Sequence, residues 1–181
     1  SLGEAWEGLS QIDLARDRAD PWAHREGIPV PPRLYIEADG VSIHLCDGWH
    51  EVKVGCVFQA EGRGRRRDRG AARFVAGLEN AEQFFWRLYS AACAQGAHGC
   101  SEIIAIGDGA EWIRNGMNHH FPQALQIVDW YHAKEHLWQV ARLCYGDGTK
   151  REAQWAAHTE AMLWEGDVGG VLRSMARLRP K

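Results

Sequence analysis

The stretch EIIAIGDGAEW, residues 102–112, decides the fold of this chain. Its four consecutive apolar residues (103–106), bounded by polar residues and glycine, are typical of a strand buried on both faces of a parallel sheet. Gly109 permits a sharp turn after this strand, and residues 110–121 have the pattern of a short helix. An apolar strand that ends in Asp-Gly places the carboxylate of Asp108 at the carboxyl edge of a sheet, where ligands bind in open α/β folds.

Three further strands are predicted upstream of this one. Residues 33–45, RLYIEADGVSIHL, form a β-rich run that we expect to turn at Asp39-Gly40, and residues 50–60 alternate apolar and polar side chains as a half-buried strand does. The turn signal CDGW (46–49) between them favours an antiparallel pair. Residues 71–77, AARFVAG, are the third candidate.

Helices dominate the rest of the chain. One is predicted over residues 79–97, where the apolar residues share one face, and an amphipathic helix is predicted over 131–145. Between them, ALQIVDW (124–130) is expected to be another buried strand. The resulting order, β-β-β-α-β-α-β-α and then helices, predicts an α/β fold with a mixed sheet of three antiparallel strands followed by two parallel strands, with flanking helices.

The same features divide the chain. Prolines at 29, 31 and 32 favour an extended connector over residues 1–32. The α/β core is predicted to span residues 33–146, and residues 147–181 form a C-terminal helical segment. Because the sequence begins without methionine and stops just after a helical pattern, we interpret it as a fragment of a longer protein.

The composition excludes several classes of protein. Apolar residues make up 45% and charged residues 25% of the chain, which argues against a largely disordered protein. No apolar run approaches the ~18 residues of a membrane span, and the five scattered cysteines contain no C-x-x-C. We therefore expect a cytoplasmic protein with reduced thiols and no membrane partner.

Asp39 and Asp108 each lie in an Asp-Gly pair next to an apolar strand. If their strands are neighbours, the two backbones lie ~4.8 Å apart and the carboxylates can share divalent cations. Such a pair suits the two-ion in-line displacement of phosphodiesters, for which Mg²⁺ is the preferred ion. The alternative is that both are ordinary turn residues. Glu37 shares the face of Asp39 by the two-residue period, and a structural role is favoured for it.

Two segments carry a family resemblance. RLYIEADGVSIHL followed by DGWHEVKVGCVF, and EIIAIGDGAEWIRN followed by HHFPQALQIVDWYHAKEHLW, resemble the catalytic domain of bacterial insertion-sequence transposases of the DDE type, in the group that includes the Mutator-like elements. The resemblance covers about residues 33–146. It implies an RNase H-like fold, DNA strand cleavage and strand transfer with Mg²⁺ or Mn²⁺, element ends and target DNA as partners, a homo-oligomeric active complex and a nucleoid location.

The resemblance also assigns roles to residues. It implies that Asp39 and Asp108 are the first two acids of the catalytic triad, that His132 assists them, and that Asp129 is a supporting residue, the last two forming a D-x-x-H signature. The third acid should be a glutamate in a segment like G-S-G-x-x-E, which this sequence lacks. Glu160 and Glu165 are the only acids well placed on late helices, and neither lies in such a segment. We therefore expect this chain to lack the third carboxylate and to have little or no catalytic activity by itself.

The stretch DWYHAKEH (129–136) allows other interpretations. It contains H-x-x-E-H, a zinc-protease pattern in which His132 and His136 bind one ion and Glu135 is the base. That interpretation needs a third ligand and leaves the two aspartates without a role. Asp129 is also a candidate N-cap for the helix that follows, and His136 is interpreted as a packing residue.

DNA contacts are predicted at two kinds of residue. The basic run RGRRRDR (63–69), at the tip of a hairpin, is expected either to neutralise phosphates or to be solvated. Tryptophans beside the acidic positions either stack on bases or pack in the core. Two alternative functions are related to that of a transposase: an RNase H-like nuclease that does not join strands, and a decayed remnant that only binds DNA. The candidate DNA-binding residues are Arg63, Arg65, Arg66, Arg67, Arg69, Trp112 and Trp130.

Overall fold

The computed structural model describes residues 15–20, 27–61, 66–67 and 72–179 of the chain. It divides into two compact units, residues 1–128 and residues 129–181. In this division the helix that begins after Asp129 belongs to the second unit, and the domain bounds given above, with a core at residues 33–146, stay a prediction.

In its described residues the first unit contains seven strands, two α-helices that pack on the sheet, a short 3-10 helix at Ala97–Gly99 and a helical segment at residues 15–19. Among the described residues of the second unit there are three helices, and no described helix of the chain is both long and apolar enough to cross a membrane. The elements are β1 (Arg33–Leu45), β2 (Gly48–Phe58), β3 (Ala60–Glu61), β4 (Arg66–Arg67), β5 (Arg73–Gly77), α1 (Ala81–Cys93), β6 (Glu102–Gly107), α2 (Glu111–His120), β7 (Leu125–Val128), α3 (Trp130–Tyr145), α4 (Lys150–Trp164) and α5 (Val168–Ala176).

The main sheet has the strand order β5-β2-β1-β6-β7. β1 pairs antiparallel with β2, and β2 pairs antiparallel with β5, whereas β6 runs parallel to both β1 and β7. A separate ribbon of β3 and β4 lies within the connection from β2 to β5. The predicted mixed sheet of three antiparallel and two parallel strands with flanking helices is confirmed, and the architecture is RNase H-like.

The predicted turn at Asp39-Gly40 is wrong. β1 continues through both residues, and Asp39 pairs with Val54 while Gly40 pairs with Lys53. The ladder with β2 is unbroken from Tyr35 to Leu45, and its hydrogen bonds override the local turn preference of Asp-Gly. The chain reverses after Leu45 instead, and Gly48 at the start of β2 has a φ of +126° that only glycine adopts readily.

The prediction that β7 is a buried strand is also wrong. All four of its residues are exposed, including Leu125, Ile127 and Val128. β7 forms the edge of the sheet and has β6 as its strand neighbour. An apolar run predicts a strand, but the position of that strand in the sheet decides how much of it is covered.

One face of the sheet and the helices α1 and α2 enclose the core of the first unit. Leu34, Ile36 and Ala38 of β1 are buried there against Phe84 and Phe85 of α1. Close approach of the helices requires small residues at two points. A Cβ at Gly55 of β2 would lie 2.9 Å from Leu88 Cδ1, and one at Gly116 of α2 would lie 2.0 Å from Phe85 Cε2.

His120 is buried among aromatic rings at the end of α2. Its imidazole stacks on Phe85, with ring centroids 5.8 Å apart, and meets the edge of Trp86 at 4.7 Å. Burial, assisted by the neighbouring His119, lowers the pKa of His120 from 6.5 to about 4. The folded protein therefore favours the neutral ring, whereas the unfolded chain accepts a proton near pH 6.5.

We expect acid to destabilise the protein through His120. Because the folded pKa is depressed, the stabilisation is present above pH 6.5 and is lost as the pH falls toward about 4. Between pH 7 and pH 5 the free energy of unfolding should fall by about 2 kcal/mol from this residue alone. Urea denaturation at both pH values should show a smaller drop for His120→Phe than for the wild type. An equal drop in both proteins would contradict this account.

In the second unit, α3 packs on α4 and α4 packs on α5. The buried residues of α3 are Leu137, Ala141 and Cys144, and Val140 is half-buried, so one face of the helix is covered as its amphipathic pattern predicts. Thr149 is the N-cap of α4, since its side chain accepts a hydrogen bond from Glu152 N at 3.1 Å.

Glu160 joins α4 to α3. It accepts hydrogen bonds from Lys134 Nζ at 2.9 Å and from Trp138 Nε1 at 3.1 Å. The bond from Lys134, followed by that from Trp138, lowers the pKa of the Glu160 carboxyl below its usual 4.5. Stabilisation from a depressed carboxyl pKa is present above 4.5 and is lost as the pH falls through the folded value.

Lys134→Met should therefore destabilise the protein at neutral pH and have no such effect in strong acid. The side chains are partly exposed, so the expected loss at pH 7 is about 0.5 kcal/mol. The measurement is the difference in urea midpoint between wild type and variant at pH 7 and at pH 3. A difference that persists undiminished at pH 3 would show that Lys134 acts through packing of its aliphatic chain.

Candidate active site

The register of the sheet brings Asp39 and Asp108 to the same level on neighbouring strands. The last paired residues of β1 and β6 are Glu37 and Ile106, and each aspartate lies two residues beyond its member of that pair. Neighbouring strands are ~4.8 Å apart. The alternation along β1 assigns Glu37 and Asp39 to the face opposite Ala38, which packs in the α1–α2 core. Asp108 is the first residue after β6.

The two aspartates differ in exposure and in the backbone structure around them. Asp39 is exposed in the middle of a paired strand, and its Oδ1 accepts a hydrogen bond from Gly40 N at 2.7 Å. Asp108 is half-buried just beyond β6, where its Oδ1 accepts from Ala110 N at 2.7 Å. Gly109 follows with a φ of +88°, which confirms the sharp turn predicted at this position. A carboxylate offers about four lone pairs, so these bonds are compatible with binding a cation.

A pocket of about 250 Å³ lies beside the Asp108 turn, between β6, β7 and α2. Its lining is mostly apolar, and Arg114 and Gln126 are its polar members. Arg114 was not singled out from the sequence, because a single arginine on a helix gives no signal of its own. Its position in the structure places a cationic side chain in the wall of a pocket that also contains Gly109.

The described residues contain two of the three expected carboxylates in this region. No group of three or more His, Cys, Asp or Glu side chains in the described ranges could hold a metal ion. Of the late acids considered, Glu160 is bonded to Lys134 and Trp138 within its own unit, and Glu165 is the C-terminal cap of α4.

The D-x-x-H pair begins α3. Asp129 is its N-cap, and the carboxylate accepts a hydrogen bond from His132 N at 3.0 Å, which confirms the capping interpretation. His132 lies on the first turn, and its Nε2 is 2.8 Å from Nε2 of His136. The structure therefore pairs His136 with His132 on an exposed helix surface, in place of the packing role predicted for it.

A family comparison covers both structural units. The family model described as Uncharacterised protein family (UPF0236) matches residues 25–180. The chain belongs to UPF0236. No curated protein matches the chain at a significant level. The match includes both aspartates and the D-x-x-H pair, so all the candidate site residues of this UPF0236 member lie within the matched part of the chain.

The candidate DNA-binding residues of the UPF0236 chain have different surroundings. Arg63, Arg65 and Arg69 lie outside the described residues, and Arg66 and Arg67 form β4, where only the backbone is described. Because β3 and β4 pair antiparallel, Arg66 and Arg67 of the basic run lie in one strand of a hairpin.

The two tryptophans both pack against other aromatic side chains. Trp112 meets Phe84 and Phe85 with ring centroids 5.9 and 6.0 Å away, and Lys53 Nζ lies 5.3 Å from its ring centroid. Trp130 meets the edge of Trp164 at 5.0 Å. The contacts of Trp112 favour the core alternative over base stacking for this UPF0236 residue.

Proposed function

We propose that this UPF0236 chain is the catalytic domain of a DDE-type DNA transposase. The observation that carries the proposal is the position of Asp39 and Asp108 at one level of neighbouring strands in an RNase H-like sheet. The D-x-x-H pair at Asp129 and His132 supports it, because the same two segments carry the resemblance to insertion-sequence transposases. The substrates are DNA element ends and target DNA, and the active complex is a homo-oligomer.

Asp39 and Asp108 would hold Mg²⁺ or Mn²⁺ in this activity. Bound in pairs, such ions activate the attacking oxygen and stabilise the leaving oxygen of an in-line phosphodiester displacement. The two side chains fit this role because they are oxygen ligands on neighbouring strands, and hard cations of this class prefer oxygen. Water is the first nucleophile and a DNA 3′-hydroxyl is the second.

His132 is a positioning residue in this proposal. Its backbone is fixed by the Asp129 cap, so the imidazole projects from a defined first turn of α3. The resemblance to insertion-sequence transposases gives His132 the role of assisting the two aspartates, by orienting the scissile phosphate or supporting the carboxylate ligands. A third carboxylate would complete the site, and the described residues contribute two.

The test is an assay for strand cleavage and joining by the product of the complete gene. Labelled DNA from the ends of the element is incubated with target DNA and Mg²⁺. We expect cleavage followed by covalent joining of labelled 3′-ends to the target. Cleavage without joining would favour the RNase H-like nuclease, and DNA binding without cleavage would favour a decayed DNA-binding remnant.

The zinc-protease alternative makes a separate prediction. It requires stoichiometric zinc after purification without chelators and hydrolysis of peptides. Only His132 and His136 of the H-x-x-E-H pattern are placed to share an ion, since no three candidate ligands come together in the described residues. We therefore expect neither result.

A further inference from the structure

His132 and His136 point their ring nitrogens at one another on the surface of α3. Their Nε2 atoms are 2.8 Å apart, and the rings meet edge to face with centroids 4.4 Å apart. His132 is half-buried and His136 is exposed. Residues four apart on a helix lie one above the other, so the backbone of a single rigid helix holds both nitrogens together.

We propose that this histidine pair is a chelating site for a divalent transition-metal ion, with Cu²⁺ bound most tightly and Ni²⁺ next. Imidazole nitrogen suits copper, nickel and zinc, and affinities for such ligands rise from Ni²⁺ to Cu²⁺ and fall again at Zn²⁺. Its ligands are imidazole nitrogens, whereas those of the proposed Mg²⁺ site are carboxylate oxygens, so the two sites suit different ions.

The distance between the two Nε2 atoms bears on which coordination geometry the pair can adopt around an ion. Two ligands about 2.0 Å from one ion are about 2.8 Å apart when they subtend a right angle and about 3.3 Å apart at the tetrahedral angle. The observed Nε2–Nε2 distance of 2.8 Å is that of the hydrogen bond between the two rings, and it equals the spacing of the right-angle arrangement, so the nitrogens need not move apart to reach that arrangement. Square-planar and tetragonal ions, Cu²⁺ and Ni²⁺, accept ligands in that arrangement, whereas structural Zn²⁺ is tetrahedral.

The surroundings of the pair are compatible with a cation. Lys134, the nearest lysine in the sequence, is turned to Glu160 at 2.9 Å. Asp129 contributes negative charge one turn before His132 and is occupied in part as the N-cap. In the metal-free pair one Nε2 carries the proton that the other accepts, so on binding that proton moves to Nδ1 of the same ring. Both Nε2 lone pairs then face the ion, and solvent fills its other positions.

The test is titration of the purified chain with Cu²⁺ and with Ni²⁺ by calorimetry, together with electron paramagnetic resonance of the copper form. We expect one tight Cu²⁺ per chain with couplings from two imidazole nitrogens. His136→Ala and His132→Ala should each weaken binding at least about tenfold, because the second imidazole acts at high effective concentration, and should leave coupling to one nitrogen. Circular dichroism checks that each variant is folded.

The matched controls are His119→Ala and His158→Ala, which remove exposed histidines from α2 and α4. Neither should change the tight site. Equal copper affinity in the wild type and in His136→Ala would overturn the proposal, as would coupling to a single nitrogen in the wild type. Tighter binding of Zn²⁺ than of Ni²⁺ would overturn the right-angle geometry. These readouts use no DNA, so they are independent of the proposed transposase activity.

Discussion

Asp108→Asn is expected to reduce DNA strand cleavage by about a thousandfold or more, which corresponds to at least about 4 kcal/mol of transition-state stabilisation. The substitution keeps the shape of the side chain and removes its charge. The amide oxygen can still accept the hydrogen bond that Ala110 N donates at 2.7 Å, so the turn before α2 should persist. A neutral amide, however, is a much poorer ligand for the ions that the reaction needs.

The measurement combines cleavage of labelled element-end DNA by the product of the complete gene with a gel-shift assay of DNA binding. Binding should be retained while cleavage is lost. Asp39→Asn should have a similar effect, and the double variant should be little worse than either single one, because the two carboxylates act as a unit. Asp147→Asn, in the exposed loop between α3 and α4, is the control. Undiminished cleavage by Asp108→Asn would rule out the proposed active site.

Phe85→Ala should lower the free energy of unfolding by about 3–5 kcal/mol. The Phe85 side chain is 1% exposed, and it lies at the centre of the first-unit core. Its ring meets those of Phe84 at 5.5 Å, Trp112 at 6.0 Å and His120 at 5.8 Å. Removing it would leave a cavity between α1 and α2 that the surrounding rings cannot fill without losing their own contacts.

Urea denaturation of wild type and variant measures this effect. Phe74→Ala is the matched control, since Phe74 lies on the edge strand β5 with its side chain 75% exposed. Its substitution should change the free energy of unfolding by no more than about 0.5 kcal/mol. If the two phenylalanine variants lost similar stability, the assignment of Phe85 to the centre of the core would be wrong.

Local patterns in the sequence predicted most of the secondary structure. The apolar stripe at 79–97 became α1 at Ala81–Cys93, and the run 103–106 became β6. The failures arose where long-range pairing decides the outcome. β2 holds β1 straight through Asp39, and the strand order leaves β7 at an edge. The sequence of a strand alone determines neither which strand it pairs with nor its position in the sheet.

The candidate site was predictable to a similar degree. That Asp39 and Asp108 belong together followed from an assumed strand order, which the sheet confirms. The four-residue spacing of His132 and His136 indicated a shared helix face, but the convergence of their nitrogens required the side-chain conformations. The pocket beside Arg114 depends on three separate elements, so no single stretch of sequence could indicate it.

The unequal anchoring of the two aspartates has a consequence for how a metal ion would be captured. Asp39 lies inside β1, where it pairs with Val54 of β2 two residues beyond the last β1–β6 pair, so it would serve as a stationary ligand. Asp108 follows the last residue of β6 and has no partner in the ladder, so a change in its own torsions would move the carboxylate without breaking a hydrogen bond of the sheet. Adjustments of ion spacing during a reaction would then fall on one side of the site, leaving the sheet itself undisturbed.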